Sequence, residues 1–298
     1  MRSWKRVCFV FGLLTLLCCV GWRFVEDSLS VGCKVVTGSV FDPAWIRSVN
    51  ESSWVLVDLD DCFFTSKSAW GSNRDFVAKV QRYSKKHPQL SIRQCIDDIY
   101  HYWEEAQGAC KVRVVSDDLF KAIRVLQEKG ITVIAVTHRW PCISKHTIRQ
   151  LTELNFSFEK SSLIKGRHVF SEKIVFDSGI LFCNDTYKKS NCLLRLFDYC
   201  SINKIKLPTN IIFFDDTLGN INDVRDLCNS QKINYLGVCF RGIDKFPSVY
   251  HPVIAKIQKQ FHRQWKQNDY LIRFRDAFGK TKNSPKWVFL KKSIHNEK

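Results

Sequence analysis

The sequence lacks the cysteine patterns that mark zinc sites and redox-active pairs. It has 13 cysteines in 298 residues, but no CxxC pair and no cluster of cysteine and histidine at the spacing of metal ligands. The cysteine spacing is irregular, so a disulfide scaffold is not expected either. Most of these residues, Cys62 and Cys239 among them, are instead predicted to be small buried side chains.

The chain also lacks the aromatic and basic repeats of the common nucleic-acid modules, so a nucleic acid is not the expected partner. Acidic residues are few: 29 Asp and Glu stand against 46 Lys and Arg, which gives a formal net charge of +17. Such a charge favours an anionic partner, either a phosphorylated small molecule or an acidic membrane surface. The length allows a sizeable core in one domain with an insertion, or in two domains.

Residues 1–25 are predicted to be a signal peptide or a membrane anchor. Basic residues, the last of them Arg6, precede an apolar run from Val7 to Trp22, which is typical of export signals. The run is shorter than a full span of about 20 residues, and no clear cleavage site follows it. An uncleaved anchor is favoured over a cleaved signal, and a buried core helix is the alternative. The protein is therefore expected to be exported or membrane-anchored, and periplasmic or secreted if it is bacterial.

The stretch that organises the rest of the chain is Val55–Phe63. Three apolar residues run directly into Asp58 and Asp60, a pattern that predicts a buried parallel strand with two carboxylates at its ligand-binding end. Carboxylates so close repel each other unless a cation lies between them or one keeps its proton. The pair suits a nucleophile, a proton donor and a magnesium ligand. A strand followed by an acidic turn is the alternative.

Residues 67–111 are expected to form a mostly helical cap. Apolar residues recur at helical spacing over residues 75–85 and 92–107, and the next buried strand begins only afterwards. The aromatic residues of these helices are interpreted as the core of the cap rather than as a surface for substrate. Residues 26–53, before the first buried strand, are expected to be a linker with an irregular approach to that strand.

A second buried strand, residues 131–137, is predicted to end in Thr137. Its hydroxyl is a neutral donor that can bind a phosphoryl oxygen without adding charge. The preceding helix is expected to begin after Ser116 and to end before Gly130. His138 and Arg139 follow Thr137 at once, and a cation there either contacts substrate or supports a loop, the loop being favoured. A helix over 143–154 and a hairpin over 173–182 are also predicted.

These features resemble the motifs of the haloacid dehalogenase-like (HAD) superfamily, in the order in which that superfamily has them. The motifs fall, in turn, on Asp58 with Asp60, on Thr137, on Lys189 at a helix start, and on Asp215 with Asp216 after a second apolar run. Lys188 is the alternative for the third motif. More narrowly, the leader, the position of the cap and the FDD sequence resemble an uncharacterised HAD-like family of intracellular bacteria.

The resemblance implies an α/β fold with a Rossmann-like parallel sheet. The core would comprise residues 54–66 and 112–250, with the cap, residues 67–111, inserted after the first strand. Residues 251–298 would form a basic C-terminal helix and tail, which is a candidate for attraction to anionic phospholipid.

The resemblance also implies a magnesium-dependent phosphatase that acts through an aspartyl-phosphate. Asp58 would be the nucleophile, Asp60 would protonate the leaving oxygen and then activate water, and the phosphoryl group would be held by Thr137 and Lys189. The magnesium ligands would be the carboxylates of Asp58, Asp215 and Asp216 and the backbone carbonyl of Asp60, with Asn220 ordering this shell and Asp223 a weaker candidate.

Two positions depart from the superfamily pattern. Cys62 stands where Thr or Val is usual, and Ser190 follows the motif lysine where Gly is usual. Because a thiol is a weaker hydrogen-bond donor than a hydroxyl, turnover could be reduced. The alternative function is an exported HAD-fold binding or effector module with little or no catalysis, although the complete set of carboxylates favours the enzyme.

Overall fold

The computed structural model describes residues 32–246 and 250–264, and the statements below concern those residues. The predicted leader and the basic tail beyond residue 264 lie outside them. In chain order the elements are β1 (Cys33–Gly38), β2 (Ser53–Val57), β3 (Phe64–Ser66), α1 (Asn73–Lys86), α2 (Ile92–Ala109), β4 (Val112–Val114), α3 (Asp117–Glu128), β5 (Thr132–Thr137), α4 (Ser144–Glu153), β6 (Arg167–Ser171), β7 (Ile174–Asp177), β8 (Ile180–Phe182), α5 (Lys189–Ile202), β9 (Asn210–Asp215), α6 (Leu218–Ser230), β10 (Asn234–Phe240) and α7 (Pro252–Gln264).

An eight-stranded sheet has the strand order β1-β10-β9-β2-β5-β8-β7-β6. All neighbours from β1 to β8 pair in parallel, whereas β7 and β6 are antiparallel additions at one edge. The predicted α/β class with a largely parallel sheet is therefore confirmed. Every residue of the central strand β2 is buried, as a continuous apolar run predicts for a strand covered on both faces.

Helices cover both faces of this sheet. Alternate residues of β2 enter two separate hydrophobic clusters: Val55 and Val57 belong to one, Trp54 and Leu56 to the other. The first cluster includes buried residues of α3 and α4, and the second includes buried residues of α5 and α6. This alternation follows from the two-residue period of a strand, and it holds the strand ends rigidly in the middle of the domain.

The two helices predicted for the cap are present and lie between β3 and β4, which pair with each other as an antiparallel ribbon. Each helix begins at a serine whose side chain accepts a backbone hydrogen bond: Ser72 caps α1, and Ser91 forms a capping box with Gln94 at the start of α2. We call residues 67–111 the helical insertion. Helix α7 packs against it through Ile254 and Ala255.

The expectation for residues 26–53 was wrong in part, because β1 lies within them and pairs with β10. Strand β6, at the opposite edge of the sheet, was also not predicted. Both are edge strands with mixed, half-exposed residues, so neither carries the continuous apolar signal of a buried strand. The predicted hairpin is confirmed as β7 and β8, and it turns at Ser178 and Gly179, which both have positive φ. A Cβ at Gly179 would lie 2.4 Å from the carbonyl oxygen of Phe158.

Both predicted ends of helix α3 agree with the structure. Ser116 caps α3 by accepting from the backbone N–H of Leu119, and Gly130 follows that helix with a φ of 76°. The cysteines of the described residues are unpaired, and most of them are buried. No helix in the described part of the chain combines the length and apolar character needed to cross a membrane.

Candidate active site

A buried lysine joins two carboxylates at neighbouring strand ends. Asp58 follows β2 and Asp215 ends β9, and these strands are adjacent and parallel. The Nζ of Lys189, the first residue of α5, donates to Asp58 Oδ1 at 2.5 Å and to Asp215 Oδ2 at 2.7 Å. All three side chains are buried. The structure thus brings the residues of three predicted motifs into direct contact.

A second helix fixes the position of Lys189. Lys188, the N-cap of α5, makes no side-chain cap; its side chain is 75% exposed, and its Nζ lies 3.8 Å from Asp223 Oδ1. Asp223 of α6 takes over the capping role by accepting from the backbone N–H of Ser190 at 2.9 Å and from its hydroxyl at 2.8 Å. Ser190, one of the departures from the superfamily pattern, therefore has a defined partner. A carboxylate at a helix N-terminus is also favoured by the helix dipole.

Asp216 completes a cluster of three carboxylates. Oxygen atoms of Asp58, Asp215 and Asp216 lie within 4.8 Å of one another. Asp215 also accepts from the backbone N–H of Thr217 at 2.8 Å and from the Asn220 amide at 3.1 Å. Asn220 therefore contacts the cluster, as predicted. Asp60 is not part of this side-chain cluster, and the predicted use of its backbone carbonyl as a ligand stays a prediction.

The cluster carries more negative charge than Lys189 balances. Burial raises the pKa of Asp58 well above its usual value, and Asp215 and Asp216 raise it further against the opposing charge of Lys189. Burial, together with repulsion from Asp215 and Asp61, raises the pKa of Asp216 to about 7. Burial opposes the charged form of Lys189, but attraction to Asp215 and Asp58 outweighs it and raises the pKa of the ammonium. A divalent cation would relieve the remaining repulsion, and an all-oxygen set suits a hard cation such as Mg²⁺.

Asp60 forms a bidentate ion pair with Arg139. Arg139 donates from Nε to Oδ2 and from Nη2 to Oδ1, both at 2.8 Å. The guanidinium is buried, and its other N–H groups donate to Thr147 and Gln150 of α4 and to Gln107 of the helical insertion. The sequence offered substrate contact or loop support for Arg139; the pairing with Asp60 was not anticipated.

The other residues that follow β5 lie at the same edge of the sheet. Thr137 is buried, and its Oγ1 accepts from the backbone N–H of Arg139 at 3.2 Å. His138 is partly buried; desolvation, with repulsion from Lys189, lowers its pKa to about 3. Its imidazole is therefore neutral near pH 7.

Asp61 and Cys62 occupy structural positions. Asp61 has a φ of 62° and accepts from the Thr65 hydroxyl at 2.7 Å, as expected of a turn residue. Cys62 is fully buried, and burial raises the pKa of its thiol well above the ordinary value. A neutral buried thiol is a poor nucleophile, so Asp61 serves as a turn residue and Cys62 as a packing residue.

A cavity of about 500 Å³ opens beside these groups. Asp58, Asp60, Thr137, Arg139 and Asp216 line it at the strand ends, and side chains of α1 and α2 line it from the helical insertion. The aromatic residues of the insertion serve two purposes: Tyr100 and Trp103 belong to a hydrophobic cluster and also line the cavity. The prediction that they form only a core was therefore incomplete.

A family model describing a protein of unknown function, DUF2608, matches residues 43–271. This match covers β2 to α7 and every residue of the site described above. The chain belongs to the DUF2608 family. The description of this family names no function, so the resemblance to the HAD superfamily stays a prediction.

Three chlamydial proteins are similar to this DUF2608 chain, each 26% identical to it. The match to a protein of Chlamydia trachomatis serovar D covers 72% of this chain and 79% of the relative, that to a Chlamydia pneumoniae protein covers 74% and 80%, and that to a Chlamydia muridarum protein covers 88% and 95%. All three carry the name "Putative outer membrane protein". No solved structure matches the chain.

Proposed function

We propose that this DUF2608 protein is a magnesium-dependent phosphohydrolase that acts through an aspartyl-phosphate, and that its motifs are those of the HAD superfamily. The observation that carries the proposal is the buried contact of Lys189 with Asp58 and Asp215. An ammonium held at the nucleophile lowers the repulsion between a carboxylate and an incoming phosphate dianion. A surface turn of acidic residues would not need a lysine with 1% exposure at its centre.

In the first half of the reaction, Asp58 attacks phosphorus. A bond forms between a carboxylate oxygen of Asp58 and phosphorus, and the bond from phosphorus to the alcohol oxygen breaks. Asp60 gives a proton to that departing oxygen, so the product leaves as a neutral alcohol. In the second half, Asp60 takes a proton from water, the water oxygen attacks phosphorus, and Asp58 is released with inorganic phosphate.

Arg139 is a positioning residue in this scheme. It holds both oxygens of Asp60 in one plane at the edge of the cavity. One of these hydrogen bonds must break before Asp60 can donate to a leaving oxygen. Because Gln107 of the helical insertion also binds Arg139, movement of the insertion would change the orientation of Asp60.

The remaining groups bind the transferring phosphoryl group and the metal. Lys189 offers charge through its contact with Asp58, and Thr137 offers a neutral hydroxyl at the cavity wall, where oxygens of the transition state gain negative charge. Asp58, Asp215 and Asp216 would hold Mg²⁺, with the Asp60 carbonyl as a further ligand. When bound, Mg²⁺ would neutralise phosphoryl charge that Lys189 alone cannot balance.

We also propose that the protein acts in the cell envelope. The basic and apolar leader motivates this location, and the relatives are named as outer membrane proteins. The basic residues near the C-terminus, Lys291 and Lys292 among them, would add attraction to anionic lipid. Binding of the full chain to anionic vesicles that weakens with salt would support the lipid contact, and absence of binding at low salt would remove it.

The test of the proposed function is hydrolysis of p-nitrophenyl phosphate by the full chain with and without Mg²⁺. We expect activity that EDTA abolishes and that Asp58→Asn lowers by at least about a thousandfold. Asp118→Asn, an exposed acidic residue at the start of α3, is the matched control and should retain activity. A folded protein that hydrolyses none of a panel of phosphoesters would overturn the proposal in favour of a binding or effector module.

A further inference from the structure

The cavity at the candidate site has two chemically different sides. The strand ends contribute carboxylates, the Arg139 guanidinium and the Thr137 hydroxyl. The helical insertion contributes a wall that is mostly apolar, formed by Phe76, Val77, Val80, Ile92, Ile96 and Trp103. A ligand that fills the cavity therefore meets charged groups at the strand ends and mainly hydrocarbon on the side of the insertion.

Two members of the apolar wall are open to solvent. Val77 of α1 is 46% exposed, and Ile92 of α2 is 56% exposed. Both line the cavity, so the insertion holds aliphatic surface at its mouth that no described residue covers. Single exposed apolar residues are common on proteins, but a group of them around a concave site marks a ligand surface.

Trp140 connects the two sides and is held in place. It comes three residues after Thr137, its ring stacks on Tyr100 at 3.7 Å, and its indole N–H donates to Asp185 at 2.8 Å. Its backbone N–H donates to the Tyr100 hydroxyl at 2.9 Å. The indole N–H therefore already has a partner within the protein, whereas the Tyr100 hydroxyl accepts one hydrogen bond and keeps its O–H as a donor.

The wall offers little to a substrate rich in hydroxyl groups. Its polar members from the insertion are the amides Asn73 and Gln81 and the Tyr100 hydroxyl. A sugar hydroxyl buried against the aliphatic part of this wall would lose its hydrogen bonds to water without replacement, which weakens binding. Hydrocarbon in the same place would gain from burial.

We infer that the ligand of this site is a phosphate monoester of an apolar alcohol, aryl or long-chain alkyl, rather than a sugar phosphate. The inference rests on the proposed function, because it takes the strand ends as the place of the phosphate. It assigns Phe76, Val77 and Ile92 to the recognition of the alcohol part. The phosphate end and the apolar end can be tested separately.

Phosphonates test the ligand class without any turnover, since their carbon–phosphorus bond resists hydrolysis. Isothermal titration calorimetry would compare naphthylmethylphosphonate, octylphosphonate and the phosphonate analogue of a hexose phosphate on the full chain with Mg²⁺. We expect both apolar probes to bind at least tenfold more tightly than the sugar analogue, with a negative heat-capacity change. Tighter binding of naphthylmethylphosphonate would indicate an aryl alcohol, and tighter binding of octylphosphonate would indicate a long-chain alkyl alcohol. Equal or tighter binding of the sugar analogue would overturn the inference.

Two variants that place a hydroxyl on the apolar wall locate the apolar contact. Val77→Thr and Ile92→Thr should each weaken the apolar probes severalfold and leave methylphosphonate, which reaches only the charged end, unchanged. Val125→Thr on α3 is the matched control, because Val125 is similarly exposed but does not line the cavity. An unchanged affinity in both cavity variants would contradict the assignment.

The failure of this inference differs from the failure of the proposed function. Magnesium-dependent hydrolysis without preference among alcohols, together with equal binding of the probes, would retain the phosphatase and overturn the ligand class. Selective binding of apolar phosphonates with no hydrolysis of any phosphoester would overturn the phosphatase and support the ligand class.

Discussion

Arg139 binds Asp60 through two hydrogen bonds of 2.8 Å, and the guanidinium is 2% exposed while the carboxylate is 26% exposed. The pair joins the end of β5 to the acidic turn after β2. Through Gln107 and Gln150 it also reaches the helical insertion and α4. The Arg139 side chain thus connects Asp60, the candidate proton donor, with the helical insertion and with α4.

Arg139→Gln should therefore affect stability as well as activity. The variant leaves Asp60 without its cation and removes hydrogen bonds to three further side chains, so we expect a loss of about 2–4 kcal/mol in the free energy of unfolding. Urea denaturation measures this loss. Arg225→Gln is the control, because Arg225 pairs with Asp226 on an exposed surface, where such pairs contribute about 0–1 kcal/mol. Equal losses of unfolding free energy in the two variants would show that the buried Arg139–Asp60 pair stabilises the fold no more than an exposed pair does.

Arg139→Lys tests the positioning role more finely. Lysine keeps the charge but cannot form the planar, bidentate contact with Asp60. We expect kcat to fall about tenfold or more with a smaller change in KM, because the proton donor is no longer held in one orientation. A variant with the kinetics of the natural protein would contradict a positioning role.

Lys189→Met should destabilise the fold in a way that depends on pH. Without the ammonium, Asp58 and Asp215 are buried together with no counter-charge, which costs about 3–5 kcal/mol near pH 7. The pKa of Asp58 in the folded state, which burial, Asp215 and Asp216 already raise, would rise further without the opposing charge of Lys189, so the folded state would bind more protons than the unfolded state. The deficit should therefore shrink as the pH falls from 8 to 6. Thermal unfolding across this range measures it.

Lys188→Met is the matched control for that experiment. The Lys188 side chain is 75% exposed, and its Nζ lies 3.8 Å from Asp223. Removing this charge should therefore change the free energy of unfolding by less than about 1 kcal/mol. A Lys189→Met variant with the stability of Lys188→Met at pH 8 would contradict the buried contact with Asp58.

The lowered pKa of His138 predicts a separate loss of stability in acid. Its pKa lies near 3 in the folded state and near 6.5 when unfolded, so below pH 6.5 the unfolded state binds the additional proton. This contribution to stability is complete above about pH 6.5 and declines as the pH falls towards 3; between pH 7 and pH 5 it should decrease by about 1–2 kcal/mol. In His138→Gln, the free energy of unfolding should therefore fall by that much less between pH 7 and pH 5. An equal fall in the natural protein and in the variant would contradict this prediction.

The hydrogen bonds of Asp223 to Ser190 predict that the cap of helix α5 affects catalysis. Asp223→Asn should weaken the cap on Ser190, cost about 1 kcal/mol and lower kcat, because Lys189 is the first residue of α5. Asp226→Asn, three residues further along α6 on an exposed position, is the control. Loss of stability without any change in kcat would restrict Asp223 to a structural role.

The sequence alone predicts the central strands and the residues at their ends. Apolar residues such as Val55 and Val57, and those of the run before Asp215, follow one another without interruption and so indicate buried strands. A polar residue after such a run lies at the sheet edge where ligands bind. Lys189 was also placed at a helix start, although the choice between it and Lys188 relied on a resemblance. The structure shows which of the two is buried.

The contacts that connect these residues were beyond the sequence because they depend on tertiary packing. Arg139 and Asp60 are 79 residues apart, and Ser190 and Asp223 are 33 apart. No local pattern signals either pair. The edge strands β1 and β6 were missed for a different reason: half of each strand faces solvent, so its residues are mixed and its period is weak.

The most direct test of the central claim is to look for the phosphoryl group on Asp58. The full chain with Mg²⁺ and p-nitrophenyl phosphate would be quenched in acid during turnover, and its peptides analysed by mass spectrometry. We expect a phosphorylated peptide containing Asp58 that is absent from Asp58→Asn and from a sample treated with EDTA. Turnover of the substrate with the phosphoryl group found on another residue, or on none, would contradict it.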